Sequence, residues 1–293
     1  GLRDALARAM SGLPRTRVMH VCGTHEHEIG RHGLRQLLPS NLEVIAGPGC
    51  PVCITPASAL VTAARLAEAD SRNVLCAYGD VLNVPTGSGS IEDARRRGAD
   101  VRLVYGPLDA VRLARTNPGR RVIFFSVGFE TTAAPVAALL QEPLPPNFLV
   151  YTCHRYVPAA VEAIAALDDG SLQGFLLPGH ASVITGSGAY GYLAGKRPAA
   201  VAGFEPADIL LGLIRVARQI KAGRARVENA YPRAVTAQGN LKAQAALRRV
   251  FNRVDASWRG IGVLPNTGFA LKPEFSRLDA LEALGLAEEP AED

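Results

Sequence analysis

Two cysteines in a Cys-x-x-Cys spacing are the residues of this chain best suited to chemistry. Cys50 and Cys53 lie in the loop Gly47-Pro48-Gly49-Cys50-Pro51-Val52-Cys53, which follows a short apolar run. Thr55-Pro56 then predicts the start of a helix, and the positive end of a helix dipole lowers thiol pKa values. Three interpretations stay open: a redox dithiol, which we favour, half of a zinc site, or packed thiols without chemistry.

Cys22 is the second candidate, in the segment Val21-Cys22-Gly23-Thr24-His25. Gly23 permits a tight turn and Thr24 can cap a helix, so the thiol would feel the helix dipole. His25 places an imidazole three residues away. Together with the Cys-x-x-Cys pair, this neighbour favours a thiolate nucleophile or a soft-metal ligand over a buried structural cysteine.

Further polar residues follow predicted strands. Glu130, with Thr131 and Thr132, comes after one strand, His180 after another, and Glu205 after a third. The carboxylates could act as acids or bases, although each could equally cap the helix that follows it. The Gly-rich loop beyond His180 favours a functional role for that imidazole over a structural one.

The elements that must position these residues alternate between short β-branched runs and Ala/Leu-rich helical stretches. This βαβα rhythm predicts parallel sheets covered on both faces by helices, with ligands bound beyond the carboxyl ends of the strands. The predicted strands are 17–21, 42–46, 74–78, 101–105, 122–127, 148–152, 175–177 and 200–202.

The domain organisation is predicted from the turn residues that interrupt the alternation of strands and helices. Asn117-Pro118-Gly119 is the best internal boundary, and it separates an α/β lobe at 42–118, which carries the Cys-x-x-Cys loop, from a second at 119–205. Segments 1–41 and 206–293 then form a mostly helical third part, in which 258–271, rich in Gly and Pro, is predicted to be irregular. One continuous doubly wound sheet is the competing architecture.

Composition narrows the function classes. The chain has 293 residues, 48% of them hydrophobic and 20% charged, and no uninterrupted apolar stretch long enough for a membrane helix. It shows no signal peptide, and its five cysteines are an odd number, so a cytoplasmic protein with reduced, reactive or metal-binding thiols is expected. The net charge of +5 comes from scattered arginines without a nucleic-acid motif, which favours an acidic protein partner over nucleic acid.

Five ordered motifs, taken together, resemble those of the HypD family of nickel–iron hydrogenase maturation proteins. They are Cys22-Gly23-Thr24-His25, the Cys50–Cys53 loop, Gly128-Phe129-Glu130-Thr131-Thr132, Pro178-Gly179-His180 and Gly203-Phe204-Glu205-Pro206-Ala207-Asp208. The resemblance runs from about residue 17 to 280 and includes Trp258-Arg259-Gly260.

The resemblance implies two α/β lobes with a cleft between them and a third part built from both termini. It implies a scaffold on which iron acquires two cyanides and one carbon monoxide, working with the small chaperone HypC and the cyanide donor HypE. Cys22 would be the iron ligand, with His25 as its neighbour. Cys50 and Cys53 would supply electrons for thiocyanate cleavage.

The resemblance also assigns the remaining candidates to the cleft, which Glu130, Thr131, His180 and Glu205 would line. Thr24 and Thr132 are further candidate binding residues. Members of the family usually continue into a cysteine-rich segment that binds a four-iron, four-sulfur cluster. This sequence has no cysteine beyond Cys153, so no self-contained cluster is expected.

Two other functions compete with the scaffold, and whether the protein is an enzyme stays open at this stage. A general dithiol oxidoreductase would need Cys50 but neither iron nor Cys22. A metal-binding or docking protein of the HypD family with a diverged role would hold a metal without turnover.

Overall fold

The computed structural model describes residues 1–290, and this part of the chain packs as two units. Unit 1 comprises Gly1–Cys50 and Val157–Leu241, and unit 2 comprises Pro51–Tyr156 and the segment that begins at Lys242. The chain passes from one unit to the other three times. The first passage is the peptide bond between Cys50 and Pro51, inside the Cys-x-x-Cys loop.

Strands and helices alternate along most of the chain. The strands are β1 (Thr16–His20), β2 (Leu42–Ala46), β3 (Asn73–Ala77), β4 (Val101–Leu103), β5 (Arg121–Gly128), β6 (Phe148–His154), β7 (Gly174–Pro178), β8 (Ala199–Ala202), β9 (Val227–Asn229), β10 (Phe251–Trp258) and β11 (Gly262–Leu271). The helices are α1 (Leu2–Met10), α2 (Gly23–Arg31), α3 (Ala57–Glu68), α4 (Gly79–Leu82), α5 (Ile91–Arg96), α6 (Pro107–Thr116), α7 (Glu130–Leu139), α8 (Val157–Leu167), α9 (Gly179–Thr185), α10 (Pro206–Lys221), α11 (Leu241–Val250) and α12 (Ala280–Leu284). Short 3₁₀ helices span Leu34–Leu37, Ser187–Leu193 and Pro273–Leu278. Within residues 1–290, none of the helices combines the length and the apolarity that crossing a membrane requires.

Unit 1 is built on a five-stranded parallel sheet in the order β2-β1-β7-β8-β9. Strand β1 is internal, and its Val18 pairs with residues of both β2 and β7. Helices α1 and α10 contribute Leu6 and Leu213 to the same apolar core as Val18 and Leu176. Burial of this continuous apolar surface is the main term that stabilises the unit.

Unit 2 contains a four-stranded parallel sheet in the order β4-β3-β5-β6 and a separate antiparallel hairpin, β10–β11. The central strand β5 is almost wholly buried, as expected for a strand with helices on both faces. Leu60 and Leu66 of α3 pack in one core with Leu75 and Ile123 of the sheet. The hairpin is irregular between Val254 and Ala256, where its register shifts.

The predicted fold class is confirmed, since parallel sheets flanked by helices form both units. All eight predicted strands are present, and their ends differ from the prediction by at most two residues. The agreement reflects short runs rich in apolar and β-branched residues, bounded by Gly, Pro and polar turns, a pattern that indicates strands of a parallel sheet.

The observed division of the chain differs from the predicted three parts. The predicted boundary at 117–119 lies between α6 and β5, inside the sheet of unit 2, where β5 pairs directly with β3. Segment 1–41 supplies an internal sheet strand, and 206–293 supplies three more strands, so neither is part of a helical third body. Turn-forming residues such as Asn117-Pro118-Gly119 show where the chain turns, but they carry no information about which sheet the next strand joins.

The prediction that 258–271 is irregular is wrong, because these residues form most of the β10–β11 hairpin. Gly260 and Gly262 have positive φ angles of 74° and 106°, which the turn requires and other residues rarely adopt. At Gly268, a side chain would meet the Ala256 Cβ at 2.8 Å across the hairpin. The glycines that suggested irregularity therefore make the turn and allow close strand pairing.

Candidate functional site

Five predicted site residues of unit 1 follow the carboxyl ends of its sheet strands. Cys22 and His25 follow β1, Cys50 follows β2, His180 follows β7, and Glu205 follows β8. The strands are parallel, so these ends share one edge of the sheet, the position where such sheets bind ligands.

The backbones next to Cys22 and Cys50 are in direct contact. The Gly23 N–H donates a 2.7 Å hydrogen bond to the Gly49 carbonyl. A Cβ added to Gly49 would lie 2.1 Å from the Cys22 nitrogen, and one added to Gly23 would lie 3.4 Å from the Cys50 Cβ. Glycine is required at Gly49 because any side chain there would overlap the Cys22 backbone.

Cys22 is a buried thiol at the N-cap of α2, 7% exposed. Burial raises its pKa, and the backbone N–H groups of His25 and Thr24 with the Thr24 hydroxyl oppose this shift only partly. Burial therefore works against the thiolate form that the helix start favours, and the roles of nucleophile or metal ligand for Cys22 stay predictions. Desolvation of the charged form outweighs the helix terminus.

His25 is fully buried and neutral, and it holds a defined tautomer. Burial lowers its pKa to about 4, with a smaller contribution from His20. Its Nε2 lies 2.9 Å from the Gly203 carbonyl oxygen, which can only accept, so Nε2 carries the proton. Its buried Nδ1 makes no hydrogen bond and remains an available acceptor.

Phe204 links the two histidines of the site. Its ring stacks on His180 with centroids 3.8 Å apart and lies 5.3 Å from the His25 ring, while Tyr231 packs edge-on at 6.1 Å. His180 is exposed on its other side, and partial burial lowers its pKa. The Gly203 carbonyl thus fixes His25 by a hydrogen bond, and the Phe204 ring packs against the imidazoles of both His25 and His180.

Glu205 occupies the N-cap of α10, the structural role that the sequence left open. Its side chain is 78% exposed, and its backbone N–H donates to Asp208 at 3.4 Å. Asp208 is buried and accepts two hydrogen bonds from Arg233, whose guanidinium also lies 4.4 Å from the Tyr231 ring centre. A carboxylate at this position stabilises the first turn of the helix, and the exposed Glu205 side chain also lies 3.9 Å from the Arg233 guanidinium.

Cys50 and Cys53 form a disulfide, and the other three cysteines are free. Cys50 is half-buried and Cys53 is exposed. The predicted cap is shifted by one residue: Pro56 is the N-cap of α3, and the Thr55 hydroxyl donates to the Pro51 carbonyl at 2.8 Å. Thr55 therefore braces the loop from inside rather than capping the helix.

Glu130, Thr131 and Thr132 begin α7 in unit 2, beyond the carboxyl end of β5. The two threonines line a cavity of about 530 Å³ at the carboxyl ends of β3, β4 and β5. The other lining residues are mostly aromatic, proline or aliphatic, with one carboxylate: Pro51, Val52, Tyr78, Asp80, Val81, Tyr105, Gly106, Pro107, Val127 and Pro135.

The Glu130 carboxylate is fully buried. Burial raises the pKa of Tyr156, and the negative charge of Glu130 raises it further. The Arg253 guanidinium, 3.5 Å from the Tyr156 ring centre, opposes this shift. The preceding Phe129 stacks on Trp258 with centroids 6.1 Å apart. A buried carboxylate at a helix start, one residue before two threonines that line a cavity, suits acid–base or binding roles.

Three further reactive side chains of unit 2 are buried in its core. Burial raises the pKa of Cys76 to about 12 and also raises that of Cys153. Burial lowers the pKa of His154 to about 3, and its Nε2 lies 2.8 Å from the Ser126 hydroxyl. These groups are uncharged at neutral pH and serve packing.

Sequence reasoning missed the contacts of Phe204 and Tyr231 at the unit 1 edge, and that of Trp258 with Phe129 in unit 2. Phe204 sits inside the Gly203–Asp208 motif, so its position was visible although its role was not. Tyr231 lies far along the chain in an ordinary polar segment, and only β9, which ends two residues before it, brings it to the edge of the sheet. Among residues 1–290, no group of three or more His, Cys, Asp or Glu side chains is arranged to hold a metal ion.

Comparison with known proteins gives consistent matches over most of the chain. The family described as "HypD: Hydrogenase formation hypA family" matches residues 2–293. The hydrogenase maturation factor HypD of Escherichia coli K12 is 43% identical over 270 residues, which cover 90% of this chain and 72% of that protein. The corresponding factor of Azotobacter vinelandii is 45% identical over 276 residues (90% and 73%), and that of Cupriavidus necator is 39% identical over 289 residues (94% and 76%).

Proposed function

The chain belongs to the HypD family, and on this premise we propose that it is a hydrogenase maturation scaffold on which iron acquires two cyanides and carbon monoxide. The observation that carries the proposal is the contact between the Cys22 turn and the Gly49-Cys50 loop. The Gly23–Gly49 hydrogen bond brings a candidate iron ligand beside a candidate redox cysteine. Iron is the cargo of this reaction.

Cys22 would bind the iron. A soft thiolate suits iron that carries strong-field ligands. Because burial raises the pKa of Cys22, the metal-free protein holds a thiol at neutral pH, and iron binding would release its proton. The N–H groups of Thr24 and His25 would stabilise the resulting thiolate, and the Thr24 hydroxyl adds a third donor.

Cys50 and Cys53 would handle two electrons. The reduced pair attacks a donor thiocyanate, R–S–C≡N, so that two protein thiols give a disulfide while the donor leaves as a thiol and cyanide as HCN. Atoms and electrons balance in this exchange, and the disulfide found between the two cysteines is its oxidised product. The exposure of Cys53 gives the donor access to the pair.

The remaining candidates would bind and orient the donor and the diatomic ligands. His25 offers its unprotonated Nδ1 as an acceptor, and His180 presents an exposed ring edge. Glu205, at the N-cap of α10, would contribute an exposed carboxylate to this binding. In unit 2, Glu130 is a buried carboxylate beside the cavity that Thr131 and Thr132 line.

The partners in this proposal are a HypC-like chaperone and a HypE-like cyanide donor. The net charge of +5 is suited to docking acidic protein surfaces. The three free thiols suit the reducing cytoplasm, where we place this step.

Infrared spectroscopy tests the proposal. The protein purified without air, with iron and a HypC-like partner, is expected to show bands of metal-bound cyanide and carbon monoxide. Cys22→Ala should abolish all the bands, whereas Cys50→Ala should remove those of cyanide. Partner-bound wild-type protein without bands would refute the proposal.

A second function is favoured by the disulfide alone, namely a dithiol oxidoreductase without metal. This alternative predicts turnover of disulfide substrates that survives Cys22→Ala and disappears in Cys50→Ala. Stoichiometric metal that resists chelation, without either activity, would instead indicate a metal-binding protein of the family with a diverged role.

A further inference from the structure

The β10–β11 hairpin ends in a turn, residues 258–262, here called the hairpin tip, that contacts the Cys-x-x-Cys loop within unit 2. The Arg259 N–H donates a 2.9 Å hydrogen bond to the Ile54 carbonyl. The Arg259 side chain extends the other way, and its Nη2 donates to the Pro85 carbonyl at 3.1 Å. One residue therefore connects the Cys-x-x-Cys loop to the segment that follows α4.

The contact acts on the carboxyl side of Cys53. Ile54 follows Cys53 directly and is 5% exposed, although Cys53 itself is exposed. Inside the loop, the Thr55 hydroxyl and N–H bond to the carbonyls of Pro51 and Val52. The hairpin tip adds a fixed point from outside the loop, so the backbone at Cys53 is held from two directions.

The hairpin tip is itself firmly anchored. Trp258 is fully buried, and its indole N–H donates to the Thr267 hydroxyl at 2.8 Å. Thr267 in turn donates to the Leu264 carbonyl at 2.9 Å. The Trp258 ring stacks on Phe129, the residue before Glu130, so the same turn also packs against the start of α7.

We propose that the hairpin tip is a positioning device for Cys53, and that Arg259 is the residue that attaches it to the loop. The tip holds the Cys53 backbone in the same place whether the Cys50–Cys53 bond is closed or open. The two sulfurs then stay within bonding reach after reduction, which favours the disulfide. The significance of this device rests on the proposed redox function, but its effect can be measured without iron, donor or partner.

The physical basis is the conformational entropy of the opened loop. Reduction by glutathione breaks the Cys50–Cys53 bond, forms two protein thiols, and oxidises two glutathione molecules to one glutathione disulfide. An untethered loop gains more conformations in the dithiol state than a tethered one, so loosening the tether favours the dithiol. The tether to the loop is the Arg259 backbone N–H, and the side-chain bond to the Pro85 carbonyl fixes Arg259 in place on the other side. Loss of the Arg259 side chain leaves the N–H but removes this support, so the tether should loosen and the disulfide should become easier to reduce.

Glutathione equilibration of the full chain, with trapped thiols counted by mass spectrometry, tests this. Arg259→Ala is expected to lower the equilibrium constant for disulfide formation about threefold, which equals about 14 mV in reduction potential. Arg259→Lys keeps a donor for the Pro85 carbonyl and should stay within about 1.5-fold of wild type. Arg248→Ala, at an exposed position of α11, is the matched control and should not change the constant.

A second measurement keeps the test valid if Arg259→Ala perturbs folding. In the wild-type protein, the Arg259 amide hydrogen should exchange slowly in both the disulfide and the dithiol forms. An Arg259→Ala constant within 1.5-fold of wild type in a folded protein would overturn the proposal. So would an Arg259 amide that loses its protection on reduction, since the tip would then release the loop when positioning is needed.

Discussion

Gly49→Ala should separate the two halves of the unit 1 site. The added Cβ would lie 2.1 Å from the Cys22 nitrogen, 2.4 Å from its Cα and 2.5 Å from the Val21 carbonyl carbon. All three are backbone atoms, so no side-chain rotation can relieve the overlap. To reach an ordinary contact, the two backbones must move apart by about 1.3 Å, enough to break the Gly23–Gly49 hydrogen bond.

The expected cost follows from these two losses. Overpacking of a close backbone contact costs roughly 1–3 kcal/mol, and a lost hydrogen bond about 1 kcal/mol. Gly49→Ala should therefore lower the free energy of unfolding by about 2–4 kcal/mol, measured by urea denaturation with circular dichroism. It should also speed alkylation of Cys22, because the covering backbone is displaced.

Gly30→Ala is the matched control, since Gly30 lies in the same unit, within α2, and a Cβ there meets nothing within 4 Å. Gly30 lies in the last turn of α2 without a positive φ, so alanine fits its backbone conformation and should stabilise the protein by about 0.4–1 kcal/mol. If Gly49→Ala is as stable as wild type and leaves Cys22 equally slow to react, the close contact on which the proposed function rests is not made in solution.

Three further outcomes follow from the site. The pKa of His25, lowered by burial to about 4, means that the unfolded chain binds a proton between pH 6.5 and about 4 that the folded chain excludes. The free energy of unfolding should fall as the pH falls through this window, by at most about 3 kcal/mol from this residue. In His25→Gln, the free energy of unfolding measured by urea denaturation should depend less on pH in the same window. In the reduced native protein at pH 7, iodoacetamide should label the two loop cysteines at least about tenfold faster than Cys22, whose thiol is buried with a raised pKa; equal rates would show that the turn is open. Phe204→Ala exposes the His180 ring and should raise the pKa of His180 towards its ordinary value in an NMR titration, whereas Phe204→Tyr should not.

The strands and the edge of the sheet were predictable because both depend on local patterns. The run 42–46 coincides with β2 because a short segment rich in apolar and β-branched residues, between polar turns, has few alternative structures. Once the strands are parallel, residues just beyond them must share one edge. That rule places reactive residues at strand ends, but the predicted division assigned Cys22, Cys50 and His180 to three different parts. Their common edge results from the pairing of β1 with both β2 and β7.

The rest depended on information that no local pattern carries. The raised pKa of Cys22 results from burial by distant segments, which outweighs the local helix start from which a lowered pKa was expected. The place of Tyr231 depends on β9 adding to β8, and the hairpin was concealed because Gly260 and Gly262 are typical of both loops and tight turns. The domain division failed because β1 pairs with β7, more than 150 residues later in the sequence.

The pairing of β1 with β7 has a consequence for how the protein forms during synthesis. The unit 2 parallel sheet draws its strands from one continuous stretch, β3 to β6, so all its strands are available once His154 has emerged. Strands β1 and β2 are made earlier, but they must wait for β7, β8 and β9 before their sheet is complete. Such long-range pairing folds slowly. The segment bearing Cys22 and Cys50 is thus synthesised before the strands of the unit 2 parallel sheet, yet its own sheet is completed only after theirs.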